Sequence, residues 1–214
     1  MFNLMSDFYD NVVKSTFYND LNEKDYCIIL YNEDHEIKGF STQKLITLYV
    51  ADRTIHGVFS GDTIIHKDYW GSMELYKGFI EKAMEYESKY DNFYWFLISK
   101  GYKTYRMLPL FFIEFYPNCK KVTPEFEQLI MHSFGKSRYP HEYDLNSGVI
   151  KYKGTKDSLK KGVADIGQKQ LNDKDIAFFL EANPGFNKGD DIVCLASLKK
   201  NNFKTTFMRL FVGG

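Results

Sequence analysis

The chain has 214 residues, of which 44% are hydrophobic and 17% aromatic, and its 28 basic side chains balance 28 acidic ones. That length suits one domain with additions, or a domain and a half, and is enough to bury a real core. The apolar content argues against disorder, and the zero net charge gives no electrostatic case for nucleic acid or an anionic membrane as partner.

Nineteen Phe and sixteen Tyr point to aromatic-packed cores or aromatic-lined clefts. Cys27, Cys119 and Cys194 are odd in number and lack the spacing of a zinc site, so no metal is expected. Cys27 and Cys194 sit in apolar runs and read as buried thiols, which suits a reducing cytoplasm. The first residues lack a basic and then apolar leader pattern, so no signal peptide is expected. No apolar run approaches the roughly 18 residues of a spanning helix.

In chain order, Ser6 reads as the cap of a first helix running through Asn22, with Phe8, Val12, Phe17 and Leu21 near one face. Three extended runs follow, 26–31, 37–50 and 54–66, joined by short polar turns as in an antiparallel meander. Gly39 or Ser41 is a candidate bulge in the second run, and Gly57 and Gly61 interrupt the third. A turn at 67–71 leads to an amphipathic helix over 72–90, with Ser72 as its cap and Leu75, Phe79 and Ala83 on its apolar face. The aromatic run 93–99 reads as a central strand. A helix interrupted by Pro109 is expected up to Tyr116. Beyond it the pattern predicts a helix over 124–134, a loop over 135–147, a short strand over 148–153 and an exposed stretch over 154–173. A helix over 173–181 and a strand over 191–198 follow, and the tail reads as strand or helix.

A strand, turn, helix, strand order requires a crossover and hence a parallel or splayed strand pair. The start of the helix then lies beside the end of the first strand, where free N–H groups can hold an anion. Gly71 and Ser72 occupy that start, or form an ordinary turn and cap. Trp70 either stacks on a ligand or packs in the core. Alternation puts Asp62 and His66 on one strand face, about 13 Å apart, too far for contact but able to bracket a substrate. His66 is a base suited to neutral pH or a strand-end cap. Ser99 and Lys100 follow the end of the central strand, where ligand clefts form, although a solvated lysine is the commoner case.

The order helix, three-strand meander, turn, helix, strand, helix over residues 6–117 resembles the GNAT superfamily of acyl-CoA-dependent N-acyltransferases. The resemblance implies an α/β fold, α+β with a mixed sheet, with residues 1–118 as the core and 119–214 as a C-terminal extension packing on it. It implies acetyl-CoA or a longer acyl-CoA as cofactor and a small-molecule acceptor. The pantetheine arm would pair with the main chain of Ile64, Ile65 and His66, and the pyrophosphate would meet Tyr69, Trp70, Gly71 and Ser72. Tyr69 and Gly71 match a tyrosine–basic–glycine form of the family's phosphate turn, while Trp70 replaces the basic residue and Met73 the second glycine. Phe111 and Phe112 stand near the position of the family's acidic tyrosine, with Tyr105 or Tyr116 as substitutes. The base would be His66, or Asp62 through water. The alternative expectation is a GNAT-shaped ligand-binding or interaction module without catalysis.

Overall fold

The computed structural model describes residues 1–154 and 156–212. The elements begin with α1 (Phe2–Phe8), β1 (Tyr9–Asp10), α2 (Lys14–Asn22), β2 (Tyr26–Tyr31), β3 (Ile37–Val50), β4 (Arg53–Ile65), α3 (Glu74–Glu87) and β5 (Phe93–Ser99). They continue with α4 (Tyr102–Tyr105), α5 (Met107–Phe111), α6 (Glu125–Arg138), β6 (Tyr143–Asp144), β7 (Val149–Ile150), β8 (Ser158–Leu159), α7 (Gln168–Leu171), α8 (Lys174–Ala182), β9 (Asp191–Ser197) and α9 (Thr205–Val212). The chain is thus of mixed α/β architecture. Among the described residues, seven strands form one mixed sheet in the order β2-β3-β4-β5-β9-β7-β6.

The meander is antiparallel, β4 and β5 run parallel, and β9 pairs antiparallel with β5. Residues after Pro117 therefore supply strands to the same sheet. Strand β5 has a neighbour on each side and helices over both faces, which is why its sequence is apolar throughout. Its Trp95 and Leu97 face a core with Phe79 of α3 and Phe112, whereas Tyr94 and Phe96 face a second core with Phe134 of α6.

Four expectations are corrected. The helix over 6–22 is broken in two, because Tyr9 and Asp10 pair with Leu159 and Ser158 and Asn11 turns with φ of 61°. A pairing partner some 150 residues away overrides local periodicity there. Ser6 caps nothing, since its hydroxyl donates to Phe2 O inside α1. The stretch 154–173 is not simply exposed, since β8 lies in that ribbon and Lys160 donates from its main chain to Phe8 O. Past Phe111, instead of continuing a helix to Tyr116, the chain extends. Phe112 bridges to Phe203 and Tyr116 to Leu195. Cys194 is fully buried, but Cys27 is only half-buried on the outermost meander strand.

One irregularity positions everything that follows. In the β3–β4 register Ser41 faces Thr63 and Gln43 faces Ser60, so Gly61 and Asp62 together oppose Thr42. This is a bulge in β4, and a bulge bends the strand that carries it. The parallel pairing of β4 with β5 runs from His56↔Phe93 to Ser60↔Leu97 and stops there. The two strands part at the bulge.

A buried polar chain holds the branch point. Trp95 Nε1 donates to Ser60 Oγ at 2.8 Å, which donates to Gln43 Oε1 at 2.9 Å. Gln43 Nε2 donates to Ser41 Oγ at 2.6 Å, and Ser41 Oγ shares a 2.7 Å bond with Thr63 Oγ1. Ser60→Ala leaves a buried indole N–H and an amide oxygen without these partners. It is expected to cost about 2 kcal/mol, read as a lower urea midpoint at unchanged slope. A loss of under about 0.5 kcal/mol, within the range of an ordinary surface substitution, would show that the chain does not hold the fork.

Candidate functional site at the fork of the sheet

Where β4 and β5 separate, a cavity opens on each side. The larger, about 570 Å³, lies between the β4 edge, the start of α3 and α4. Its walls are largely apolar, from Phe79, Trp95, Leu97, Met107 and Leu159. The smaller, about 280 Å³, lies toward α2 and carries Asp20, Asp62, Asp157 and Asp191 with Lys24, Lys100 and Lys156. Tyr9, Thr63, Gly101 and Thr104 line both, so the two cavities meet at the fork.

The strands part at Ser60 and Leu97, before either strand ends, because the bulge opposite Thr42 acts first. Asp62 sits at that bulge and lines the smaller cavity. Burial pushes its carboxyl up to about 6; Asp20 and Asp157 add to the rise, while Lys24 and Lys100 oppose it. A carboxylate tuned near 6 is ionised at neutral pH yet able to take a proton.

His66 lines neither cavity. Its Nδ1 accepts from Asp68 N at 3.4 Å and lies 3.5 Å from Asp68 Oδ2, so it caps the turn after β4. Asp62 and His66 are therefore not brought to one cavity. Of the main-chain groups expected to hold a pantetheine arm, His66 N donates to Lys38 O and Ile65 O accepts from Trp70 Nε1 at 2.9 Å. Ile64 pairs with Phe40 of β3. Strand alternation then leaves Thr63 and the Ile65 amide as the groups directed at the fork.

Trp70, Gly71 and Ser72 line the larger cavity, whereas Tyr69 does not. Gly71 has φ of +96°, which favours glycine, and open space where a side chain would begin. Ser72 Oγ accepts from Glu74 N at 3.3 Å at the entry to α3. Lys100 lines the smaller cavity, its Nζ donating to Asp157 Oδ2 at 2.7 Å and lying 3.8 Å from Asp191 Oδ2. Burial acts to lower its pKa, but Asp191 and Asp157 outweigh burial and hold it above the usual lysine range. Ser99 is fully buried, its hydroxyl donating to Gly101 O and its carbonyl accepting from Asn183. Tyr105 is also core, donating to Pro117 O at 2.9 Å, and lines neither cavity. Phe111 and Phe112 are buried.

Residues not singled out from sequence complete the site. Lys103 and Arg106 line the larger cavity, with Lys103 Nζ 3.5 Å from the centre of the Trp70 ring. Their three-residue spacing after the central strand was a readable signal. Tyr9, Asp157 and Asp191 come from distant parts of the chain and offered none. Among the described residues no cluster of His, Cys, Asp or Glu is arranged to hold a metal ion, and no helix is long and apolar enough to cross a membrane.

No family model matches the chain, and no curated protein matches it. Among solved structures it is similar to two mutant forms of the BH1408 protein from Bacillus halodurans. A single-site mutant is 18% identical, with a TM-score of 0.37 over 54% of this chain and 73% of that one. A tetramutant is 17% identical, with a TM-score of 0.38 over 54% and 74%. Superpositions this loose assign neither fold family nor activity.

Proposed function

We propose that the protein is a GNAT-like acyltransferase that moves an acyl group from acyl-CoA to a small acceptor across the fork. The reading is carried by one observation: an apolar cavity at the start of α3 meets a charged cavity containing Asp62 where two parallel strands part.

The residues present fit an acyl thioester with a diphosphate tail. The open side of Gly71 and the start of α3 suit a phosphate. Lys103 supplies the positive charge that Trp70 does not, with Arg106, itself 3.3 Å from Asp173 Oδ2, beside it. The β4 edge at Thr63 and Ile65 offers amide groups to an extended arm, as an added strand would use them. Such a thioester supplies an activated carbonyl. Asp62 takes one proton from the acceptor ammonium and passes it to water; a second proton leaves the nitrogen as the C–N bond forms and goes to the departing sulfur. Tyr9, held well above the usual phenol range by burial and by Asp62, Asp191 and Asp157, stays neutral, so its hydroxyl keeps a proton to offer the developing oxyanion at the fork. The apolar walls keep water from the thioester.

Binding is the direct test. Millimolar acetyl-CoA or a longer acyl-CoA is expected to raise the melting temperature by several degrees. Gly71→Glu, which fills the phosphate turn, and Lys103→Glu, which reverses charge at the mouth, are each expected to abolish the rise. Absence of any shift in the unmodified protein with either thioester would end the acyl-CoA reading.

A further inference from the structure

We propose that the smaller cavity is a subsite for a compact organic ammonium ion bearing no anionic group, with the Asp62 carboxylate as its counter-ion. As an acceptor subsite this rests on the acyl-transfer reading; as a binding site it stands on the cavity's own charges.

The charges that line this cavity pair off among themselves and leave one carboxylate over. Four carboxylates and three ammonium groups line the cavity. Lys24, just past α2, is paired with Asp20 at 2.5 Å. Lys156 is paired with Asp157 at 2.7 Å. Lys100, just past β5, reaches Asp157 at 2.7 Å and Asp191 of β9 at 3.8 Å, and Asp191 also accepts from Tyr152 at 3.0 Å. Every lysine is thus engaged with a carboxylate other than Asp62. Asp62 has neither a hydrogen bond nor an ion pair among the described residues, although it lines the cavity beside them.

A half-buried carboxylate held without a partner in a cavity is disfavoured relative to one in water, and a cation entering the cavity offsets that cost. An anionic ligand meets the opposite situation, because it would have to take a lysine from its carboxylate. The ring of Tyr139 adds an aromatic wall that suits an alkylammonium, while those of Tyr9 and Tyr152 already lie within 6.0 Å of the Lys100 and Lys156 ammonium groups. The volume, about 280 Å³, lies at the small end of ligand pockets. The ligand is therefore a small monocation rather than a polyphosphate, a sugar acid or an amino acid zwitterion.

Calorimetric titration without any acyl donor tests this, using n-butylammonium, 4-aminobutyrate and butyrate on the full chain. Butylammonium is expected to bind, with the other two at least about tenfold weaker. Butylammonium stays charged across the pH range used, so its binding should weaken about tenfold between about pH 7.5 and about pH 5 as Asp62 gains its proton. Asp20 on α2, Asp157 before β8 and Asp191 on β9 face the same space. Asp62→Asn, which leaves those three in place, should remove both the affinity and the pH dependence. If that variant does not fold, the pH series on the unmodified protein decides alone. The proposal is overturned if butylammonium fails to bind, if 4-aminobutyrate or butyrate binds as well, if affinity is the same at both pH values, or if a folded Asp62→Asn protein binds undiminished. Butylammonium binding as described while no acyl-CoA binds would keep the subsite and remove the acyl-transfer reading.

Discussion

Asp62→Asn is expected to give a protein that folds more firmly and, on the acyl-transfer proposal, transfers acyl groups far more slowly. The carboxyl sits at about 6 in the folded chain, against about 3.9 when exposed. Between those values the folded chain binds more protons than the unfolded one. Stability therefore falls as pH rises from about 4 to about 6 and stays lowered above that window. Asparagine removes the penalty of burying the charge, a gain on the order of 1–3 kcal/mol at neutral pH, reduced to the extent that solvent reaches the group. The rate should drop by about 10² to 10³, the usual loss for a general base, and the limb of the pH–rate profile near 6 should vanish. Urea unfolding and steady-state rates measured on one preparation check both halves. A variant that is less stable and fully active would mean that Asp62 is a structural group.

Gly57→Ala should be among the most damaging single-methyl additions to the sheet. Gly57 pairs with Tyr94 across the parallel β4–β5 junction. A side-chain carbon there would lie 2.4 Å from Tyr94 O and 2.6 Å from the Phe96 ring. The first obstacle is backbone and the second is a fully buried ring packed on Phe134, so neither can retreat cheaply. A loss of about 3 kcal/mol is expected, or roughly 6–12 °C in melting temperature for a chain of this size. A melting temperature within about 2 °C of the unmodified protein, less than 1 kcal/mol at this length, would show that the junction is slack.

The strand, helix, strand unit was legible because each piece has a clean local signature. The extended run, the apolar stripe of α3 and the aromatic strand are found at Arg53–Ile65, Glu74–Glu87 and Phe93–Ser99. The position of the fork was not legible. It depends on how Ser41, Thr42 and Gln43 lie against Ser60 to Thr63, a register that no single strand encodes. The apolar run around Cys194 read correctly as a strand, but an all-apolar strand does not name its neighbour, and here the neighbour is β5. The candidate site divides in the same way. Asp62, Trp70, Gly71, Ser72 and Lys100 lie close to the crossover, and they line the cavities. Tyr105 and Ser99 lie just as close in sequence but turn into the core, where their hydroxyls find main-chain partners. Tyr9, Asp157 and Asp191 reach the site only through long-range pairing, which leaves no periodic trace.

The place of β9 beside β5 also bears on how the chain is made. The aromatic strand at 93–99 leaves the ribosome about ninety residues before its partner at 191–197, an interval of about 5–20 s at ordinary elongation rates. Throughout that time one edge of an almost wholly apolar strand has no companion. Such an edge invites pairing with another nascent chain. Slower synthesis over the later half should therefore lower the soluble yield, and a holdase chaperone should restore it.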